Sequence, residues 1–215
     1  LCALIAIHFA TNVSSTKWWA DAFAVGTNLL SGGLVSFLFY FLVVHLPARR
    51  RKSIIKANLL RMYGNIKEDI LMAVVQASIK GGRHDLTTDT EMIEKLMSPE
   101  GFKEAFDRGR EADEGFYAFA NQMSDDTWEF RQIVLNLQML SKQIEFLLHN
   151  YSIENQDAFD FFKRLELLLL RLQTNGPGYD ESKPLCRFIW EVYAGWNWLE
   201  GNTGYDRVQK MIGAL

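Results

Sequence analysis

Two hydrophobic patterns divide the chain. From Ala22 to Ala48 there is no Asp, Glu, Lys or Arg in 27 successive positions. A helix rising about 1.5 Å per residue needs roughly 20 apolar residues to cross a ~30 Å hydrocarbon layer. Phe23 to Leu46 meets that length, and a transmembrane helix is predicted there. Trp18 and Trp19 precede it, where indole rings favour the headgroup region. Pro47 and then Arg49, Arg50, Arg51 and Lys52 end it. The positive-inside rule puts this basic cluster in the cytoplasm, against anionic lipid headgroups, and the loop bearing Lys17 and Asp21 outside. The ten apolar residues Leu1 to Ala10 are too short to span alone. They are expected to be the outward end of a first span, so that residues 1–48 form a transmembrane hairpin.

Beyond the basic cluster the period changes to that of amphipathic helices. Ile55, Leu59, Met62, Ile66, Ile70, Val74 and Ala77 recur at spacings of three and four, and Gly81-Gly82 stops that helix. Thr87 to Thr90 offer caps for a short helix through Met97, and Ser98-Pro99-Glu100 open another. Ser124-Asp125-Asp126 are placed to cap a helix starting near Thr127, with Phe130, Ile133, Val134, Leu137, Leu140, Ile144, Leu147 and Leu148 on its apolar face. Asn155 and Asp157 start the next helix. There Phe161, Phe162, Leu165, Leu168, Leu169 and Leu172 make one face while Leu167 and Leu170 add a second, so this helix is expected at the centre of a bundle. Asn175-Gly176-Pro177-Gly178 is a break. Pro184 suits the first turn of a helix reaching about Leu199, and a last helix is expected from Asp206 to Ile212. No strand alternation or hairpin signal is present. The predicted fold is all-α, a membrane hairpin continuing into a helical bundle over residues 49–215.

Charge sharpens the division. The basic residues Arg49, Arg50, Arg51, Lys52, Lys56, Arg61 and Lys67 form a collar with no acid among them. From Glu68 onward, 15 Lys and Arg stand against 25 Asp and Glu. An acidic bundle is repelled from an anionic membrane surface and is a poor general ligand for nucleic acid.

In the second span Asn28, Gly32, Ser36 and Tyr40 recur every four residues, with Thr27 and Ser31 alongside. Small residues let helix backbones approach in lipid, and polar ones bond across the contact. This line is expected to pack on the first span or on another copy, or to line a polar path in an assembly. In the C-terminal segment Phe188, Ile189, Val192, Tyr193 and Trp196 are expected to point inward, Trp190 and Trp198 lie off the Phe188, Val192 and Trp196 face, and Trp190, Tyr193 and Trp198 are the docking candidates. They fit either a partner-docking surface or an aromatic core with rings on two sides.

Catalytic patterns do not emerge. Gly32-Gly33 and Gly81-Gly82 lack the residues of a phosphate loop, and Cys2 and Cys186 stand at opposite ends. Glu145 and His149 share a helix face but make only two of the three ligands that a metal site needs. Gly81-Gly82-Arg83-His84-Asp85 reads as a solvated turn, and Asp107, Glu111 and Glu114 among Arg108 and Arg110 as a salt-bridged face. Neither an enzyme, a metal site nor a cofactor is expected.

A short external loop, a span ending HLPARRRK and an acidic helical domain together resemble the small two-span membrane effectors of bacterial anti-phage defence systems, retron-type effectors among them. The resemblance implies an effector in the bacterial inner membrane. A cytoplasmic protein or nucleoprotein partner would keep it silent until its release damages that membrane. The competing reading is a non-toxic anchor or accessory subunit that recruits a cytoplasmic complex.

Overall fold

The computed structural model describes residues 17–107, 122–197 and 200–215. The chain divides into two compact units, Leu1–Ile55 and Lys56–Leu215.

In the first unit, helix α1 spans Lys17–Tyr40, and a π-helical turn, Phe41–His45, leads into α2, Leu46–Lys80. The π turn falls just before Pro47. A proline ring inside an α-helix lacks the amide hydrogen and crowds the carbonyl four residues back. Here the Leu46 amide reaches back five residues to the carbonyl of Phe41, a widened register of the kind that accommodates such a ring. Among the described residues one helical stretch is long and apolar enough to cross a membrane. It begins at Ala22, has a mean hydropathy of 2.0 in its most apolar window, and none of that window is buried in the protein. The proposed first span, Leu1 to Ala10, lies outside the described residues, so the described part of this unit shows one helix of membrane-spanning length and does not show a two-span hairpin.

The second unit is built on the later turns of α2, where Leu59, Tyr63, Ile66, Ile70, Val74 and Ala77 are buried. After the Gly81-Gly82 turn come α3 (Thr90–Met97) and α4 (Pro99–Phe106), capped by the side chains of Asp89 and Ser98. Each cap satisfies an amide that the first helical turn leaves without a partner. Gly101 is required where the two helices meet: a Cβ there would stand 2.2 Å from the carbonyl oxygen of Lys95. Helix α5, Trp128–Asn150, is capped by Thr127, whose hydroxyl accepts the Phe130 amide at 3.2 Å. The capping residue is thus Thr127 itself, next to the predicted Ser-Asp-Asp run. Asp126 pairs with Arg131 instead. Helix α6, Gln156–Leu172, follows after a short loop and packs against α5.

Three expectations are corrected. Helix α6 buries one face only (Ala158, Phe162, Leu165, Leu169 and Leu172), and Leu167, Leu168 and Leu170 are exposed. It is a peripheral helix, not the centre of the bundle. Helix α7 runs Tyr179–Tyr193, so it starts five residues before Pro184 and ends well before Leu199. Gly195, at φ +60°, stops it, since the left-handed region suits glycine and ends helices. Beyond it, where no strand was expected, β1 (Trp196–Asn197) pairs antiparallel with β2 (Gly201–Asn202). Helix α8, Arg207–Gly213, closes the unit, capped by Asp206 and packed on α6.

Candidate functional site

In the membrane-length helix the polar line is open. Asn28, Gly32, Ser36 and Tyr40 are all exposed, and a Cβ added at Gly32 would meet nothing within 4 Å. Thr27, beside the line, is satisfied within its own helix by donating to the Phe23 carbonyl at 2.7 Å. Asn28 has no hydrogen-bond partner among the described residues. In lipid, polar side chains of this kind find partners on neighbouring helices. Arg49, Arg50 and Arg51 are exposed and Lys52 is partly so, an arrangement open to anionic headgroups.

Lys67 belongs to a different structure from the collar in which its position placed it. It is buried, 5% exposed, and donates to Oδ2 of Asp206 at 2.9 Å. The same carboxylate oxygen accepts from Tyr63 Oη at 2.6 Å, while Oδ1 caps α8 by accepting the Gln209 amide at 3.1 Å. Tyr193 donates its hydroxyl to the Lys67 carbonyl, and the Lys67 ammonium stands 5.1 Å from the centre of the Tyr193 ring. Four side chains from α2, α7 and the start of α8 therefore form one buried polar knot in which each charge has an opposite charge and a hydrogen bond. Burial, with the Asp206 charge next, raises the phenol of Tyr63 well above its ordinary value, and the same two causes in the same order raise that of Tyr193. The wall around the knot is apolar, including Ile66, Ile70, Leu137 and Ile189. No room remains for a substrate, and the knot's chemistry is that of a fastening for the C-terminal helix.

Trp190 and Tyr193 are each 1% exposed. Their rings pack on Phe102 of α4, at centroid distances of 5.8 and 5.1 Å, and Phe102 in turn meets Phe106 at 4.6 Å. The docking reading of these two residues is corrected accordingly: α7 is buried on two sides, so rings off its Phe188 face are core as well. Trp198 lies outside the described residues.

The remaining candidates resolve into local structure. Arg83 forms a two-pronged pair with Asp85, with both bonds at 2.7 Å, donates to the Ala105 carbonyl and lies over the Phe106 ring. It ties the turn after α2 to the end of α4. The His149 ring meets the backbone carbonyl of Glu145 rather than aligning with its carboxylate. Among the described residues no group of three His, Cys, Asp or Glu could hold a metal. Glu111 and Glu114 lie outside the described residues. A shallow cleft of about 410 Å³ between α4 and β2 is lined by Glu100, Glu104 and Asp107, but Lys95 and Lys103 pair with the latter two at 3.0 and 3.9 Å.

Sequence reasoning missed the Lys67–Asp206 pair. The available signal was the position of Lys67 one residue after Ile66 and three before Ile70, on the edge of the apolar stripe. The chain matches no protein-family model, no curated protein and no solved structure.

Proposed function

We propose that this chain is a membrane-anchored helical effector of the bacterial inner membrane. Its Lys56–Leu215 unit faces the cytoplasm, and a protein or nucleoprotein partner bound to that unit holds it inactive. The observation that carries the reading is the uncovered polar line Asn28, Gly32, Ser36 and Tyr40 on a helix of membrane length. A helix serving only as an anchor gains nothing from an asparagine facing lipid, whereas an assembling helix uses it together with small residues for close contact. On release, copies meet through this face and their polar sides together breach the bilayer. The collar from Arg49 to Lys52 sets the depth of the span, each charge contributing on the order of 1 kcal/mol at an anionic surface. The net acidity beyond Glu68 keeps the larger unit off that surface and leaves it open to the partner.

The test is to induce the full chain alone in bacterial cells and follow membrane potential with a dye. Rapid depolarisation is expected, and Gly32→Leu should abolish most of it by adding bulk where backbones meet, while Leu34→Ala leaves it intact. Coexpression of the genes that neighbour this one should restore the potential. Unchanged potential and growth, with the chain present in the membrane, would favour the anchor reading and defeat this one.

A further inference from the structure

Helix α5 carries an apolar stripe on the side turned away from its core. Its inner face buries Phe130, Ile133, Leu137, Leu140, Ile144 and Leu147. Its outer face exposes Trp128 (57%), Leu135 (47%), Met139 (44%) and Phe146 (56%). These four are spaced by seven, four and seven residues, so at about 100° per residue they fall within roughly 40° of arc. Gln132, Lys142 and His149 complete the same seam, at the alternating spacings of four and three that paired helices use. Four large apolar side chains in one line exceed the scattered exposure usual for a surface helix.

The flank of this seam says what covers it. Arg131, Gln138 and Glu145 occupy equivalent positions in three successive heptads, and all three reach the surface. Arg131 and Glu145 therefore lie one heptad either side of Gln138, as positive, neutral and negative. A second copy turned end for end about a twofold axis near Gln138 and Met139 brings each Arg131 to the other copy's Glu145. The two Gln138 meet at the axis. In the seam, the two Met139 then lie within about 3 Å of each other along the axis and Leu135 within about 1.5 Å of Lys142, whose methylene stem packs while its ammonium reaches water. A parallel pair offers no such match, because Arg131 and Glu145 would face Asn136 and Asn150. The Glu145 carboxylate has no ion-pair partner among the described residues, and Arg131 is held only by the exposed Asp126. The mixed signs also make the face a poor match for an anionic lipid surface.

We infer that α5 is a self-association surface through which two copies of this chain pair antiparallel, with Met139 at the twofold axis and Arg131–Glu145 ion pairs on the flank. The inference does not rest on the effector reading, since an anchor would pair by the same face.

The test uses the full chain in isolated membranes, with Cys2→Ser and Cys186→Ala removing the native thiols, and single cysteines oxidised by copper phenanthroline. Met139→Cys is expected to give a disulfide dimer in several-fold higher yield than Phe146→Cys, whose symmetry mate stands roughly 22 Å along the axis at 1.5 Å per residue. In the Met139→Cys background, Arg131→Glu or Glu145→Arg should each lower the yield several-fold, and the two together should restore it. Circular dichroism must show each variant folded, which the exposure of all four positions favours. Equal yields at both cysteine positions would mean a parallel pair, and no dimer from Met139→Cys, or no rescue by the double charge reversal, would overturn the proposal as well.

Discussion

Asp206→Ala is expected to destabilise the Lys56–Leu215 unit by about 3–5 kcal/mol, because it leaves the buried Lys67 ammonium without its counter-charge. Two further losses act in the same direction. Tyr63 Oη loses its acceptor and the Gln209 amide loses its cap. The informative contrast is Lys67→Met combined with Asp206→Asn. That pair removes both charges, keeps the amide oxygen to cap α8 and sets the side-chain NH2 as a donor towards Tyr63 Oη, and should cost far less than Asp206→Ala alone, since a buried ion pair often contributes little beyond its uncharged equivalent. Urea unfolding of the full chain in detergent, followed by circular dichroism, gives both values. The same knot sets an alkaline limit. Burial and the nearby carboxylate raise the phenols of Tyr63 and Tyr193 in the folded state, so the folded chain keeps protons that the unfolded chain releases near pH 10. This stability is fully present below about pH 10 and falls as pH rises towards the folded-state values. Tyr63→Phe should flatten that decline.

Trp190→Ala should cost about 3–5 kcal/mol in the same measurement, as large aromatic truncations in a closed core do. Trp190 is 1% exposed and its ring leans on Phe102, so the space it leaves cannot be filled by solvent or by a mobile surface chain. Trp190→Phe should lose much less. The indole Nε1 has no hydrogen-bond partner among the described residues, so only ring area and volume change. A docking anchor behaves in the opposite way. Its truncation leaves melting unaltered and weakens partner binding, and an unchanged unfolding midpoint for Trp190→Ala would restore that role.

The parts of this fold that were legible are those written by period and punctuation. Leu59, Ile66, Ile70, Val74 and Ala77 form a single buried stripe because their spacing follows the helix, and Gly81-Gly82 ends α2 where the stripe ends. The caps at Ser98 and Asn155 are equally local, since each needs only the amide three residues on. What was not legible depends on partners distant in sequence. Lys67 looks like the last member of a basic collar, and only Asp206, 139 positions away, makes it a core residue. Trp190 falls off the apolar face of its own helix, but a helix with neighbours on two sides has two inner faces, and no helical wheel shows the second. The exposed leucines of α6 fail in the other direction: composition suggests burial all round, while packing supplies one neighbouring face. The two-residue strands beside Gly195 are too short to alternate at all. Asn28, Gly32, Ser36 and Tyr40 share one side of α1 by their spacing, but what such a line touches depends on groups outside this helix.

Everything proposed about action requires that the span lie in a membrane with the larger unit on the cytoplasmic side. The direct measurement is labelling of single cysteines by a membrane-impermeant maleimide in intact cells, with Cys2 and Cys186 replaced. Ser152, exposed in the loop between α5 and α6, marks the larger unit, and Ser15 marks the segment before α1. The account predicts that Ser15→Cys is labelled in intact cells and that Ser152→Cys is labelled only after permeabilisation, with both variants retained in carbonate-washed membranes. Labelling of Ser152→Cys but not Ser15→Cys in intact cells, or release of the chain by the carbonate wash, would contradict it.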